Sequence, residues 1–167
     1  AMLAAMRVGL QPEDIRKGLA TFKNAPHRLE EVATITGVTF INDSKATNVG
    51  AALAAIEGLG SERRLVLIAG GRDKGADFAQ LRPAVHKACD RVLLIGEAAD
   101  VLAQALQGTC AIEVVDDLDA AVARAADIVT RGQAVLLSPA CASFDQFRSY
   151  EARGDSFRVA VARELGA

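Results

Sequence analysis

The sequence predicts an α/β domain: a doubly wound, mostly parallel sheet with helices on both faces and an antiparallel hairpin or edge strand at its amino-terminal side. Three observations lead there. Continuous apolar runs such as Leu65-Val66-Leu67-Ile68-Ala69 and Val92-Leu93-Leu94-Ile95 suit strands covered on both faces rather than half-exposed ones. These runs alternate with stretches of helical spacing, the order that a parallel sheet with crossover helices requires. Ahead of them, two strand-like stretches flank Thr36-Gly37, as in a hairpin.

Taken in order, Gln11-Pro12-Glu13-Asp14 opens a helix through about Thr21, with Pro12 in the first turn and acids where the helix dipole favours them. Leu10, Ile15, Leu19 and Phe22 can share one of its faces. Lys23-Asn24-Ala25-Pro26 breaks the chain and marks a boundary, so that residues 1–25 form the end of a preceding unit with its linker and 26–167 form one domain. The apolar start, Ala1 to Arg7, has no basic leader and resembles the tail of a helix from something longer. Strands are expected over Arg28–Thr36 and Val38–Ile41, and then a helix over about 47–57. There follow a strand at Leu65–Ala69, a helix at Phe78–Ala88, a strand at Arg91–Ile95 and a helix at Ala98–Leu106. A short strand at Ile112–Val115 precedes a helix at Leu118–Val129, whose Leu118, Val122, Ala125 and Val129 share a face. A last strand at Ala134–Leu137 and a helix at Gly154–Leu165 complete the pattern.

Composition narrows the functional classes. A chain of 167 residues can bury one normal core, and a net charge of −2 gives no electrostatic footprint for nucleic acid or an anionic membrane. No apolar run approaches the roughly 20 residues of a membrane span. Cys89, Cys110 and Cys141 are odd in number and widely spaced, which argues for a reducing cytoplasm and against a disulfide framework or zinc site. With only His27 and His86 besides, no dedicated metal centre is expected.

Chemistry concentrates in three loops that follow strands, where α/β sheets collect ligands. The first is Asn42-Asp43-Ser44-Lys45-Ala46-Thr47-Asn48. Asp, Ser, Thr and Asn are helix caps, and capping explains any one of them alone; four with a lysine point beyond it. Free amides at the following helix start also suit an anion. The second is Gly70-Gly71-Arg72-Asp73-Lys74-Gly75-Ala76-Asp77, either a loop whose glycines allow close backbone approach and whose Lys74 holds a charge near the sheet edge, or a glycine-rich turn with a solvated lysine. The third, Ser138-Pro139-Ala140-Cys141-Ala142-Ser143-Phe144-Asp145-Gln146-Phe147, offers hydroxyls and exposed amides to a carboxylate. Cys141 suits packing better than nucleophilic catalysis, since neither histidine lies in these loops. Ser143 lacks the G-x-S-x-G setting of a hydrolase nucleophile. Neither the P-loop signature G-x-x-x-x-G-K-S/T nor G-x-G-x-x-G occurs. Residue chemistry alone therefore ends at an anion-binding α/β domain.

The three loops, together with Pro26-His27-Arg28-Leu29-Glu30, resemble the Mur ligases, and specifically the D-glutamate-adding branch. The resemblance runs from about residue 12 to the end of the chain. It implies a Rossmann-like carboxy-terminal domain that receives the amino acid, preceded by the end of a central ATPase domain. The implied reaction is ATP-driven amide formation through an acyl phosphate, adding D-glutamate to UDP-N-acetylmuramoyl-L-alanine in peptidoglycan biosynthesis. ATP and Mg2+ would be held mainly by the central domain, so the fragment alone is expected to be inactive. By position, Arg28 and Asp43 match nucleotide contacts, and Lys45 matches a lysine at the reacting centre. Thr47, Lys74 and Ser143, with a backbone amide near Phe144, match D-glutamate contacts. Tyr150 stands where the family has a phenylalanine lining that pocket. No metal ligands are assigned here, and a cytoplasmic monomer without nucleic-acid or membrane partners is implied. The competing reading is a non-catalytic module that binds a nucleotide or acidic metabolite and regulates a partner.

Overall fold

The computed structural model describes residues 6–21, 24–164 and 166. After helix α1 (Pro12–Thr21) come β1 (Glu30–Ile35) and β2 (Val38–Asn42), then α2 (Val49–Gly60) and β3 (Leu65–Gly70). A 3-10 turn (Phe78–Leu81) leads into α3 (Arg82–Ala88), followed by β4 (Cys89–Ile95), α4 (Ala99–Leu106) and β5 (Ala111–Val114). The chain ends with α5 (Leu118–Ile128), β6 (Ala134–Leu137) and α6 (Tyr150–Glu164).

The six strands form one sheet in the order β1-β2-β6-β3-β4-β5. Among the described residues only the strands β1 and β2 pair antiparallel, joined at Thr36 (φ 53) and Gly37 (φ 83). Two successive positive φ values are the type I′ geometry that matches strand twist. All other neighbours are parallel. β6 returns to lie between β2 and β3, pairing Ile41 with Leu136 on one side and Leu67 with Leu136 on the other. The carboxyl ends of β2, β3 and β6 thereby adjoin, and their loops share one edge. Two apolar layers cover the sheet. One joins α2, α3 and α4 through Ile56, Val85 and Leu102; the other joins α5 and α6 through Val122, Phe157 and Val161. The buried central strands are those that the continuous apolar runs predict.

Several boundaries differ from expectation. The predicted helix at Phe78–Ala88 is split, because Pro83 in the first turn of α3 lacks the N–H that would carry the preceding turn onward. Strand β1 starts at Glu30 rather than Arg28, because His27 (φ 61) and Leu29 (φ 45) leave the extended region. Helix α6 starts at Tyr150 rather than Gly154, with the Ser149 hydroxyl accepting the Ala152 amide at 3.2 Å. Gly154 is no helix start. A Cβ there would collide with the His27 ring, so the glycine lets α6 lie against the amino-terminal segment. On α1, Ile15 is buried but Leu10 precedes the helix and is exposed. The expected helix tail at the start falls mostly on residues 1–5, outside the described residues, as do the side chains of Leu19 and Phe22 and the predicted helix end at Leu165.

The end of β3 bears the tightest backbone approach. Gly70 has φ 123, and any Cβ would lie within contact distance of the Ile95 carbonyl oxygen. Gly70→Ala should destabilise the chain by roughly 3 kcal/mol or more, from positive φ and backbone clash together. An unchanged urea midpoint would show that this loop is not held as described.

Candidate functional site

The three loops meet around one side chain, Arg153 from the first turns of α6, which is 1% exposed. Its Nε donates to the Ser44 hydroxyl at 3.0 Å, and its Nη2 to the carbonyls of Ser44 (3.0 Å) and Cys141 (3.2 Å). Its Nη1 donates to the Ala142 carbonyl at 3.3 Å and reaches that of Gly70 at 3.5 Å. A guanidinium has five N–H groups, and each has an acceptor here. All five acceptors are neutral, and burial lowers the Arg153 pKa to about 10. The loops are also tied to one another. The Gly70 amide donates to Pro139, and Arg72 and Ala142 exchange backbone hydrogen bonds at 2.9 and 3.2 Å.

One cleft of about 260 Å³ opens on the first loop, lined by Arg28, Asp43, Lys45, Asn24 and the alanine face of α2. Asp43 is 7% exposed. Its carboxylate accepts the Leu29 amide at 3.2 Å and the Ser138 hydroxyl at 3.0 Å. Burial nevertheless dominates and raises its pKa to about 6, against the opposing hydrogen bonds and the Arg28 charge. The cleft thus pairs two cations with a carboxyl that can be either acceptor or donor near neutrality. One carboxyl between two cations is no set of metal donors. It suits a phosphorylated ligand with hydroxyls.

A second cleft of about 120 Å³ lies beyond the same turn, lined by Thr47, Asn48, Arg72, Asp73, Lys74 and Cys141. Arg72 makes a two-point ion pair with Glu97 at 3.0 and 3.1 Å, while the Asp73 carboxylate accepts the Gly75 and Ala76 amides. Asn48 caps α2 by accepting the Ala51 amide at 2.9 Å, so capping accounts for that residue of the first loop. Burial pushes the Cys141 thiol up to about 12, which fits packing and not nucleophilic attack.

Arg28, Asp43 and Lys45 therefore share the first cleft, and Thr47 and Lys74 share the second. Ser143, Phe144 and Tyr150 lie outside the lining of both. Ser143 is buried, its carbonyl accepting the Gln146 and Phe147 amides. The Phe144 side chain is 61% exposed. Tyr150 lies under the Lys45 ammonium, 3.7 Å from ring centroid to Nζ. The sequence reading does not single out Arg153, and it includes Arg72 and Asn42 only as members of their loops, without a role. Asn42 joins β2 to α6 through the Gly154 carbonyl (3.2 Å) and to the His27 ring (3.1 Å). The available signal was Gly154 itself, a glycine inside a helix beside an arginine, which marks close approach.

Comparison with known proteins gives a consistent answer. The family described as Mur ligase, glutamate ligase domain, matches residues 27–141. A UDP-N-acetylmuramoylalanine–D-glutamate ligase from Pseudomonas syringae is 50% identical over 163 residues, covering 96% of this chain and 36% of that protein. The Methylobacillus flagellatus enzyme of the same name is 53% identical over 146 residues, covering 87% of this chain and 32% of that one. The chain thus spans about a third of the length of these relatives. Among solved structures, MurF ligase from Thermotoga maritima in complex with ADP superposes with a TM-score of 0.62 at 16% identity, over 99% of this chain and 36% of that one. FolC from E. coli in complex with DHPP and ADP gives 0.60 at 22%, over 96% and 38%. At these identities the structures share the fold.

The raised Asp43 pKa has a consequence for stability. Between 3.8 and about 6 the folded chain keeps a proton that the unfolded chain has released. Stability therefore falls as pH rises through that window, by up to about 3 kcal/mol. Asp43→Asn keeps the shape and removes the charge. The variant should gain on the parent as pH is raised from about 4 to about 7 in denaturation experiments. A difference that is the same at both pH values would contradict the account.

Proposed function

The chain belongs to the Mur ligase glutamate ligase domain family, and from that premise we propose that it is the amino-acid-receiving part of a UDP-N-acetylmuramoyl-L-alanine:D-glutamate ligase. One observation carries the reading: a single turn, Lys45 to Thr47, lines both clefts, with Arg28 and Lys45 as cations suited to a nucleotide on one side and Thr47 and Lys74 as donors suited to a carboxylate on the other. A ligase that joins an activated acid to an amino acid needs those two sites adjacent.

In this reading residues 26–167 are the receiving domain and residues 1–25 the end of the ATPase domain with its linker. The remaining parts of the enzyme supply the UDP-sugar site and the ATP phosphate site, in keeping with the third of the length of its relatives that this chain spans. ATP phosphorylates the terminal carboxylate of UDP-N-acetylmuramoyl-L-alanine and leaves as ADP. The D-glutamate amine attacks the acyl-phosphate carbon. The C–N bond forms, the nitrogen loses a proton, and the C–O bond breaks to expel phosphate. Arg28 and Asp43 contact the nucleotide, and Lys45 offsets negative charge on the transferring phosphoryl group. Mg2+ supplies charge neutralisation at the phosphates, with ligands from outside this chain. Thr47 and Lys74 receive the D-glutamate carboxylates, joined by Ser143 and the amide near Phe144 once substrate is bound, and Tyr150 borders the site. The enzyme acts as a cytoplasmic monomer in peptidoglycan biosynthesis, with no nucleic-acid or membrane partner. This chain alone has no turnover.

The test uses the full-length ligase carrying this segment, with ATP, Mg2+ and UDP-N-acetylmuramoyl-L-alanine. Phosphate release should occur with D-glutamate and not with L-glutamate or meso-diaminopimelate. Release with none of the three would favour a regulatory binding module instead. Lys74→Ala should raise the KM for D-glutamate roughly tenfold or more, and Lys45→Ala should chiefly lower kcat. Unchanged kinetics in Lys74→Ala would remove it from the site.

A further inference from the structure

The Lys45 side chain has an unusual support. Its ammonium stands 3.7 Å above the centre of the Tyr150 ring, within the range at which a cation is attracted to an aromatic face. The seat is fixed from several directions. The Lys45 amide donates to the His27 carbonyl at 3.0 Å, which sets where its side chain leaves the backbone. The His27 ring meets the Tyr150 ring edge-on, with centroids 6.0 Å apart and planes at 82°. His27 is itself held by Asn42, whose amide reaches Nδ1 at 3.1 Å, and its Nε2 faces Asp155 at 3.9 Å. The Tyr150 carbonyl accepts the Ser44 hydroxyl at 2.8 Å, so the residue preceding Lys45 is bound to the residue that carries the ring. Beside the ring, the Tyr150 hydroxyl holds the Glu151 carboxyl below its usual range, with a lesser contribution from the Lys45 charge.

We propose that Tyr150 is a positioning residue for Lys45, its ring face holding the ammonium of this first-cleft residue before any anion arrives. This rests on the ligase reading and deepens it: Tyr150, which is not in the lining of the amino-acid cleft, borders the site by acting through the lysine. A π-face suits this task better than a carboxylate would. A carboxylate would neutralise the lysine and compete with an incoming phosphoryl group, whereas the ring orients the charge and leaves it whole.

Two readouts test it. In this chain labelled with 13C-lysine and assigned with Lys45→Arg, the Lys45 ε-methylene resonance should lie upfield of the other lysines through the ring current. Tyr150→Phe should keep that shift and Tyr150→Leu should abolish it. In the full-length ligase, Tyr150→Leu should lower kcat roughly tenfold with a smaller change in the KM for D-glutamate, and Tyr150→Phe should restore kcat. An ordinary Lys45 resonance in the parent, or a Tyr150→Leu variant that raises KM and spares kcat, would overturn the proposal. If the parent ligase releases no phosphate with D-glutamate, the functional reading fails while the resonance still decides the seat.

Discussion

A buried guanidinium surrounded by neutral oxygens is the constraint on which the ligand edge depends. Taking Arg153 out of water costs on the order of several kcal/mol, and no opposite charge among its five acceptors offsets it. Geometry offsets it instead. Four carbonyls and a hydroxyl are aimed at a planar fork, and low local dielectric strengthens each bond. Lysine, with three donors on one atom, could not reach acceptors spread over three loops. The Arg153 charge survives at neutral pH because its pKa, though lowered, stays near 10.

That constraint links fold to site. α6 belongs to the core through Phe157, Ala160 and Val161, so Arg153 enters the ligand edge from a rigid element. The order β2-β6-β3 brings the loops after those strands side by side, and the arginine then joins their backbones. Lys45 and Thr47, two residues apart, are thereby presented to different clefts from one fixed turn. Positions held by packed elements are what a reaction between two bound partners needs.

Much of this was legible in the residues. The fully buried strands at Leu65–Gly70 and Ala134–Leu137 follow from uninterrupted apolar runs. The loops stood out because charged and hydroxylated residues follow those strands directly. Strand order was not legible, since crossover helices of similar length permit β6 on either side of β3. Ser143 and Phe144 show a second limit. Adjacent in sequence, one is buried and the other exposed, because the turn that the Gln146 and Phe147 amides close on the Ser143 carbonyl carries Phe144 outward. Arg153 was hidden for another reason. On a helix that also carries Arg158 and Arg163 nothing in the residue pattern sets it apart, and its burial and its acceptors on the three loops distinguish it.

The most direct test of this account is backbone amide exchange in Arg153→Met, which keeps the helix and removes the fork. The discriminating amides are Ala46 in the first loop and Arg72 and Ala142 in the other two, all hydrogen-bonded in the parent. All three should lose protection together, while Ile68 and Leu93 in the sheet keep theirs. If protection falls only at Arg72 and Ala142, which bond to each other, Arg153 does not unite the three loops. If it falls nowhere, the arginine is a passenger and the loops hold themselves.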